Sequence, residues 1–117
     1  QYMHTLWFTL RFVDSIQNEE IINNLFKSEF LMATEKMSSN KVFSFGRDHG
    51  YHGRLLSHGI VAEQSLHIKD NTLTGYCFTP QDGNALLSSV AGTIQYYYKD
   101  NWKEKMKLFN RYIFKNI

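Results

Sequence analysis

Apolar and polar positions alternate where the chain opens. In "LWFTLRF", Leu6, Phe8, Leu10 and Phe12 point one way, and Trp7, Thr9 and Arg11 the other. A period of two with aromatic and Thr content predicts a strand with one face buried, and Trp7 implies partial cover on the second face. The period then lengthens. In "DSIQNEEIINNLFKSE", Ile21, Ile22, Leu25 and Phe26 fall in one stripe, which predicts a helix from about Asn18 to Lys27. Asp14, Ser15 and Asn18 offer capping oxygens, and Glu19 and Glu20 suit the positive end of a helix dipole. "FLMATEK" is short and apolar at its start, and predicts a second strand.

"SSNKVFSFGRDHGYHGRLLSHG", residues 38 to 59, fits no single template. Val42, Phe43 and Phe45 suit a strand by density. Ser38 or Ser39 as an N-cap with Val42 and Phe45 suits a helix of one or two turns, and Gly46 and Gly50 would break either element. From Gly53 to Pro80 the pattern predicts a β-meander, with Ile60, Ala62, Leu66 and Ile68 extended. Asp70 and Asn71 form a hairpin turn signal, because both tolerate positive φ. Thr72 to Thr79 alternates again, with Tyr76 and Phe78 opposite Leu73, Gly75 and Cys77, and Pro80 ends that strand.

Helical spacing returns at "GNALLSSVAGTIQYYYKD" through Leu87, Val90, Ala91, Ile94, Tyr97 and Tyr98. Gly92 weakens this helix by about 1 kcal/mol relative to Ala, and suggests close packing on the sheet. A last helix is predicted from Asn101, with Glu104 as its capping-box partner and Trp102, Met106, Phe109 and Ile113 as its stripe. The order gives an α+β fold: one domain over residues 1–117, a largely antiparallel sheet with helices packed on one face.

Composition narrows the function. A chain of 117 residues with nine Phe, seven Tyr and two Trp buries roughly two thirds of its unfolded surface and needs no staple. The net charge of +2 is too small to point to nucleic acid, and the basic run "KDNWKEKMKLFNRYIFKN" is punctuated by Asp100 and Glu104. No window approaches 18 consecutive apolar residues, so no membrane span is expected. Cys77 is the one cysteine, which fits a reducing, cytoplasmic setting.

Candidate chemistry is sparse. His49, His52 and His58 could ligate a metal, but no Cys or carboxylate pair completes a tetrahedral set at familiar spacing, so no metal site is assigned. Gly46, Gly50 and Gly53 do not have phosphate-loop spacing. Arg47 and Arg54 could take a phosphate or carboxylate bidentately, or pair with acidic neighbours. Cys77 lies mid-strand with no charge beside it, which predicts an inert thiol. His4 could face a site. Tyr96, Tyr97 and Tyr98 suit packing better than a stacking platform. In "TPQDGN" a strand ends, a polar turn follows and a helix starts. Gln81, Asp82 and Asn84 could meet a ligand there, or Asp82 could simply cap the helix.

Together these elements resemble the second half of the catalytic domain of glyceraldehyde-3-phosphate dehydrogenases and related semialdehyde dehydrogenases. The resemblance runs through "IQNEEIINNL", "ATEK", "MSSN", "SLHIKDNTLTGYCF" and "TPQDGNALLSSVAGTI", over roughly residues 3 to 98. It implies that Gln81 stands where the family has the amide residue that contacts the nicotinamide carboxamide of NAD or NADP, with a longer arm than the usual Asn. Asp82, Gly83 and Asn84 follow where the family has an acidic residue, a Trp and a Gly, so the aromatic part of the turn is missing. The nucleophilic Cys, its His partner and the dinucleotide-binding domain lie upstream in the family.

The resemblance therefore implies a fragment of an oxidoreductase, inactive alone. Its partners would be the dinucleotide-binding domain and further copies of the chain in a homo-oligomer. Residues 38 to 59 would be an irregular crossing near subunit contacts. The alternative expectation is a free-standing α+β binding module with an anion site at Arg47, His49, His52 and Arg54.

Overall fold

The computed structural model describes residues 3–15, 17–28, 30–50, 59–80, 84–114 and 117. Among the described residues five strands and four α-helices follow in the order β1 (Met3–Arg11), α1 (Asn18–Lys27), β2 (Leu31–Thr34), α2 (Ser39–His49), β3 (Gly59–Ala62), β4 (His67–Lys69), β5 (Thr72–Pro80), α3 (Asn84–Tyr98) and α4 (Trp102–Met106). Short 3-10 turns cover Glu63–Ser65, Lys99–Asn101 and Lys107–Tyr112. The fold is α+β, as the pattern predicts, with a mixed but mostly antiparallel sheet.

β5 is the hub of the sheet. β1 lies antiparallel along its full length, from Met3 opposite Pro80 to Arg11 opposite Thr72. On its other side β5 pairs with β4 at Thr72–Thr74 and with β3 at Cys77 and Phe78. The expected meander is therefore replaced by a broken strand: β3 and β4 do not pair with each other but run in turn along β5. The 3-10 turn between them leaves a gap in the ladder at Tyr76. Ser65 fills it, its Oγ accepting from the Tyr76 N–H (2.8 Å) and donating to the Ala62 carbonyl (2.6 Å). The β4–β5 hairpin turns at Asp70 and Asn71 as expected. Asp70 has φ 56°, and the Asn71 amide donates to the Phe12 carbonyl at 2.8 Å.

β2 runs parallel to β3, from Leu31 beside Gly59 to Thr34 beside Ala62. Parallel neighbours need a crossover, and α2 lies within it. The ambiguity over residues 38–49 thus resolves as a helix that runs through Gly46 and ends at Gly50, whose N–H donates to the Gly46 carbonyl (2.8 Å). A single helical glycine costs about 1 kcal/mol, and Val42 beside Gly46 in the buried face of α2 outweighs it. Residues 51–58 lie outside the described residues.

The core is divided. Met32, Ile60, Ala62 and Phe78 share one face of the sheet and bury Val42 of α2, with Met3, Phe45, Phe114 and Ile117 at the margin. Leu87, Ala91, Met106 and Ile113 form a second cluster with Phe30, Val90, Ile94, Trp102 and Phe109. The stripe expected from Asn101 onward is thus borne out. Its capping box is not: Asn101 makes no side-chain cap bond, and Glu104 pairs with Lys107 at 2.6 Å. A 3-10 turn runs straight into α4, so there is no free helix start to cap.

Three apolar expectations are corrected. Leu6 and Leu10 are 47% and 50% exposed and Trp7 59%, so the described residues close neither face of β1, which lies at the edge of the described sheet. The stripe of α3 holds through Ile94, but Tyr96, Tyr97 and Tyr98 are exposed instead of packed, because the helix outruns the small cluster that buries its first turns. A Cβ on Gly92 would meet nothing within 4 Å, so that glycine serves no close approach to the sheet. The chain measures 42 × 35 × 20 Å with a radius of gyration of 15.0 Å, against about 13 Å for a compact domain of this length. Its accessible surface is 7932 Å², where a monomer of this mass exposes roughly 6600 Å².

Candidate functional site

One end of the sheet holds His4, Gly59 and the last residues of β5. β5 ends at Pro80 and α3 begins at Asn84, so the strand and the helix predicted on either side of "QDG" are present. Gln81, Asp82 and Gly83 lie outside the described residues, and so does the side chain of Asn84. Register places His4 opposite Thr79, exposed, one residue from the end of β5. Gly59, where the chain re-enters the sheet after the crossover, lies at this same end, because Ile60 pairs with Phe78. Leu31 sits beside Gly59 so tightly that a Cβ there would come within 2.8 Å of Leu31 Cδ2. His4, the start of β3 and the strand leading to Gln81 therefore converge. That convergence could not be seen from spacing, since it joins positions from three distant parts of the chain.

The basic and histidine-rich segment is only partly visible. His49 ends α2, is exposed, and stacks on Phe45 with ring centroids 4.6 Å apart and planes 19° from parallel. Arg47 takes the acidic-neighbour alternative. Its Nε and Nη2 donate to the two carboxylate oxygens of Asp48 at 2.7 and 3.1 Å. That bidentate bond holds the Asp48 carboxyl below its ordinary value and the Arg47 guanidinium above its own. An anion at Arg47 would compete with Asp48 for the Nε–Nη2 edge of the guanidinium. His52, Arg54 and His58 lie outside the described residues. Among the described residues no group of three or more His, Cys, Asp or Glu could hold a metal ion.

Cys77 sits mid-strand, half-buried, opposite Leu6 on one side and Val61 on the other. Burial pushes its thiol up, as expected for an apolar strand position, so it is a poor nucleophile at neutral pH. An open groove of about 660 Å³ is lined by Glu35, Lys36, Met37, Lys41, Gln64 and Ile117, on the far side of β2 from its crowded start. Nearby in sequence, Glu63 Oε1 is buried without a hydrogen-bond partner among the described residues. Sequence reasoning singled out neither feature.

Two surfaces are unpartnered among the described residues. On the β1–β5 ribbon, Trp7 packs edge-on against Tyr76 (centroids 4.8 Å, 80°) on one face, and Leu6 and Leu10 lie open on the other. On α3, Gly92, Thr93, Tyr96 and Tyr97 make an exposed strip. No described helix is long and apolar enough to cross a membrane. The chain matches no protein-family model and no curated protein sequence.

Proposed function

We propose that this chain is the substrate and assembly half of an NAD- or NADP-dependent phosphorylating aldehyde dehydrogenase of the glyceraldehyde-3-phosphate dehydrogenase type, inactive alone. The observation that carries the reading is the β1–β5 ribbon, which leaves large apolar side chains open on both of its faces. An isolated domain of this size has too little reason to expose Leu6, Trp7, Leu10 and Tyr76 together. Further polypeptide, from the rest of a parent chain or from other subunits, would account for them. The open strip on α3 supports the same reading, since in this family the corresponding helix packs back on the dinucleotide-binding domain.

In that enzyme Gln81 is the cofactor-binding residue, its amide meeting the nicotinamide carboxamide at the end of β5. The thiol that attacks the aldehyde and the base beside it come from the other half. Cys77 has the wrong setting for that role, mid-strand and raised in pKa.

Two measurements test this. The coding sequence upstream of Gln1 should contain a G-x-G-x-x-G motif and a nucleophilic Cys, and an in-frame stop immediately upstream would refute the reading. The purified chain with NAD or NADP, phosphate and an aldehyde should show no turnover, and robust activity would refute the reading too. In the parent enzyme, Gln81→Ala should raise KM for the nicotinamide cofactor by about tenfold, the worth of one amide hydrogen bond.

A further inference from the structure

The geometry points to a contact between two copies of this chain: β1 pairs antiparallel with β1 of a second copy along its outer edge, and one sheet runs through both. The contact rests on the assembly part of the proposed function and not on its chemistry, so catalytic assays do not bear on it.

The direction of the backbone groups comes first. The Phe12 N–H donates to the Asn71 carbonyl at 2.8 Å. In an antiparallel ladder the bonded pairs alternate, so even-numbered residues of β1 turn their N–H and C=O groups toward β5. Met3, Thr5, Trp7, Thr9 and Arg11 turn theirs outward. No described strand pairs with β1 on that side. The opposite edge of the sheet is treated differently: β2 is four residues long, and the Ile117 N–H donates to its Ala33 carbonyl at 3.2 Å. β1 has nine residues in unbroken register, with no proline, bulge or lysine to blunt it.

The sequence of the strand is then self-complementary. A two-fold axis at Trp7 sets Trp7 against Trp7 of the second copy, Leu6 against Phe8, and Thr5 against Thr9. Such matching is what an isologous contact requires. The bonded positions of this register are the odd ones, which are the ones left free. Arg11 falls opposite Met3, so no charge meets its own kind. On one face Tyr76 and Trp7 continue into Trp7 and Tyr76 of the second copy, and on the other the exposed Leu6 is covered by Phe8. Four of the ten large hydrophobic side chains exposed among the described residues, Leu6, Trp7, Leu10 and Tyr76, lie on this ribbon.

Sedimentation equilibrium of the purified chain across a concentration series tests the contact, together with amide hydrogen exchange read residue by residue. The expected result is a species of twice the 13.8 kDa monomer mass. In it the Thr5, Trp7 and Thr9 amides should exchange about tenfold or more slower than in the dilute monomer. Thr9→Pro removes an outward N–H and the exposed hydroxyl that accepts from the Trp7 indole N–H (3.3 Å), and should return the monomer mass with the helical circular dichroism unchanged. A monomer at every concentration overturns the inference. So does a dimer whose Thr5, Trp7 and Thr9 amides still exchange freely, because that dimer does not pair the outer edges of β1. If Thr9→Pro does not fold, the exchange of the unaltered chain decides alone.

Discussion

Replacing Gly92 with alanine should stabilise the isolated chain. Gly92 lies in the ninth position of the fifteen-residue α3, exposed, and the new methyl group would meet nothing within 4 Å. The gain is then the difference in helix propensity, about 0.8–1.0 kcal/mol, with no packing term to offset it. For 117 residues an unfolding entropy of about 2.1 cal/mol/K per residue gives roughly 0.25 kcal/mol/K, so the melting temperature should rise by about 3–4 °C. Thermal unfolding followed by far-ultraviolet circular dichroism, with urea titration as a check, measures both. An unchanged or lowered midpoint would refute the reasoning, since it would mean that the space beside Gly92 is filled or that α3 is strained there. The complete enzyme supplies a contrast. If a second domain lies against this strip, the same methyl group meets a neighbour, and the gain should vanish or reverse.

Other substitutions probe the sheet. Thr34 is fully buried, and its hydroxyl donates to the Ile117 carbonyl (2.9 Å) and accepts from the Lys36 N–H (3.0 Å). Thr34→Val keeps the shape but orphans both groups, and should lower the stability in urea by about 1–3 kcal/mol. Gly75→Ala would push a Cβ to 2.8 Å from Leu66 Cδ2 and 2.9 Å from Phe8 Cζ, and should cost about 1 kcal/mol because the half-exposed Phe8 ring can swing aside. Cys77 has its thiol raised above the ordinary 9.0 by burial, so folded protein should react with iodoacetamide more slowly than urea-unfolded protein at neutral pH. The same shift sets a sign. Below pH 9 both states keep the proton and the contribution is constant; above it the unfolded chain ionises first, so stability should fall as pH rises through the folded value. A flat stability profile across that range would contradict it.

The elements that local pattern could reach are the ones whose partners are close in sequence. The α1 helix, the β4–β5 hairpin and the stripe from Trp102 to Ile113 each depend on spacing or on turn residues within a few positions. The apolar alternation of β1 predicted a strand correctly but its burial wrongly, because alternation states which residues share a face and not whether anything lies against it. Gly46 misled for a related reason: the glycine penalty is local, and the packing of Val42 and Phe45 that overrides it comes from strands on both sides of α2 in the chain. The tyrosine run kept helical spacing past the point where the cluster of Leu87, Ala91, Met106 and Ile113 ends. The strand end at Pro80 and the helix start at Asn84 were legible. The approach of His4 and Gly59 to the same sheet end was not, since it follows from a register set between distant strands.

The ladder between β1 and β5 also fixes an order of events. The β4–β5 hairpin closes over two residues and can form in microseconds, whereas Arg11 reaches Thr72 only after most of the intervening chain is in place. β1 therefore finds its neighbour later than β4 does. Until it does, β5 offers an empty side to any β1 within reach, including that of another molecule. Concentrated refolding should accordingly yield exchanged pairs in which each β1 completes the other molecule's sheet.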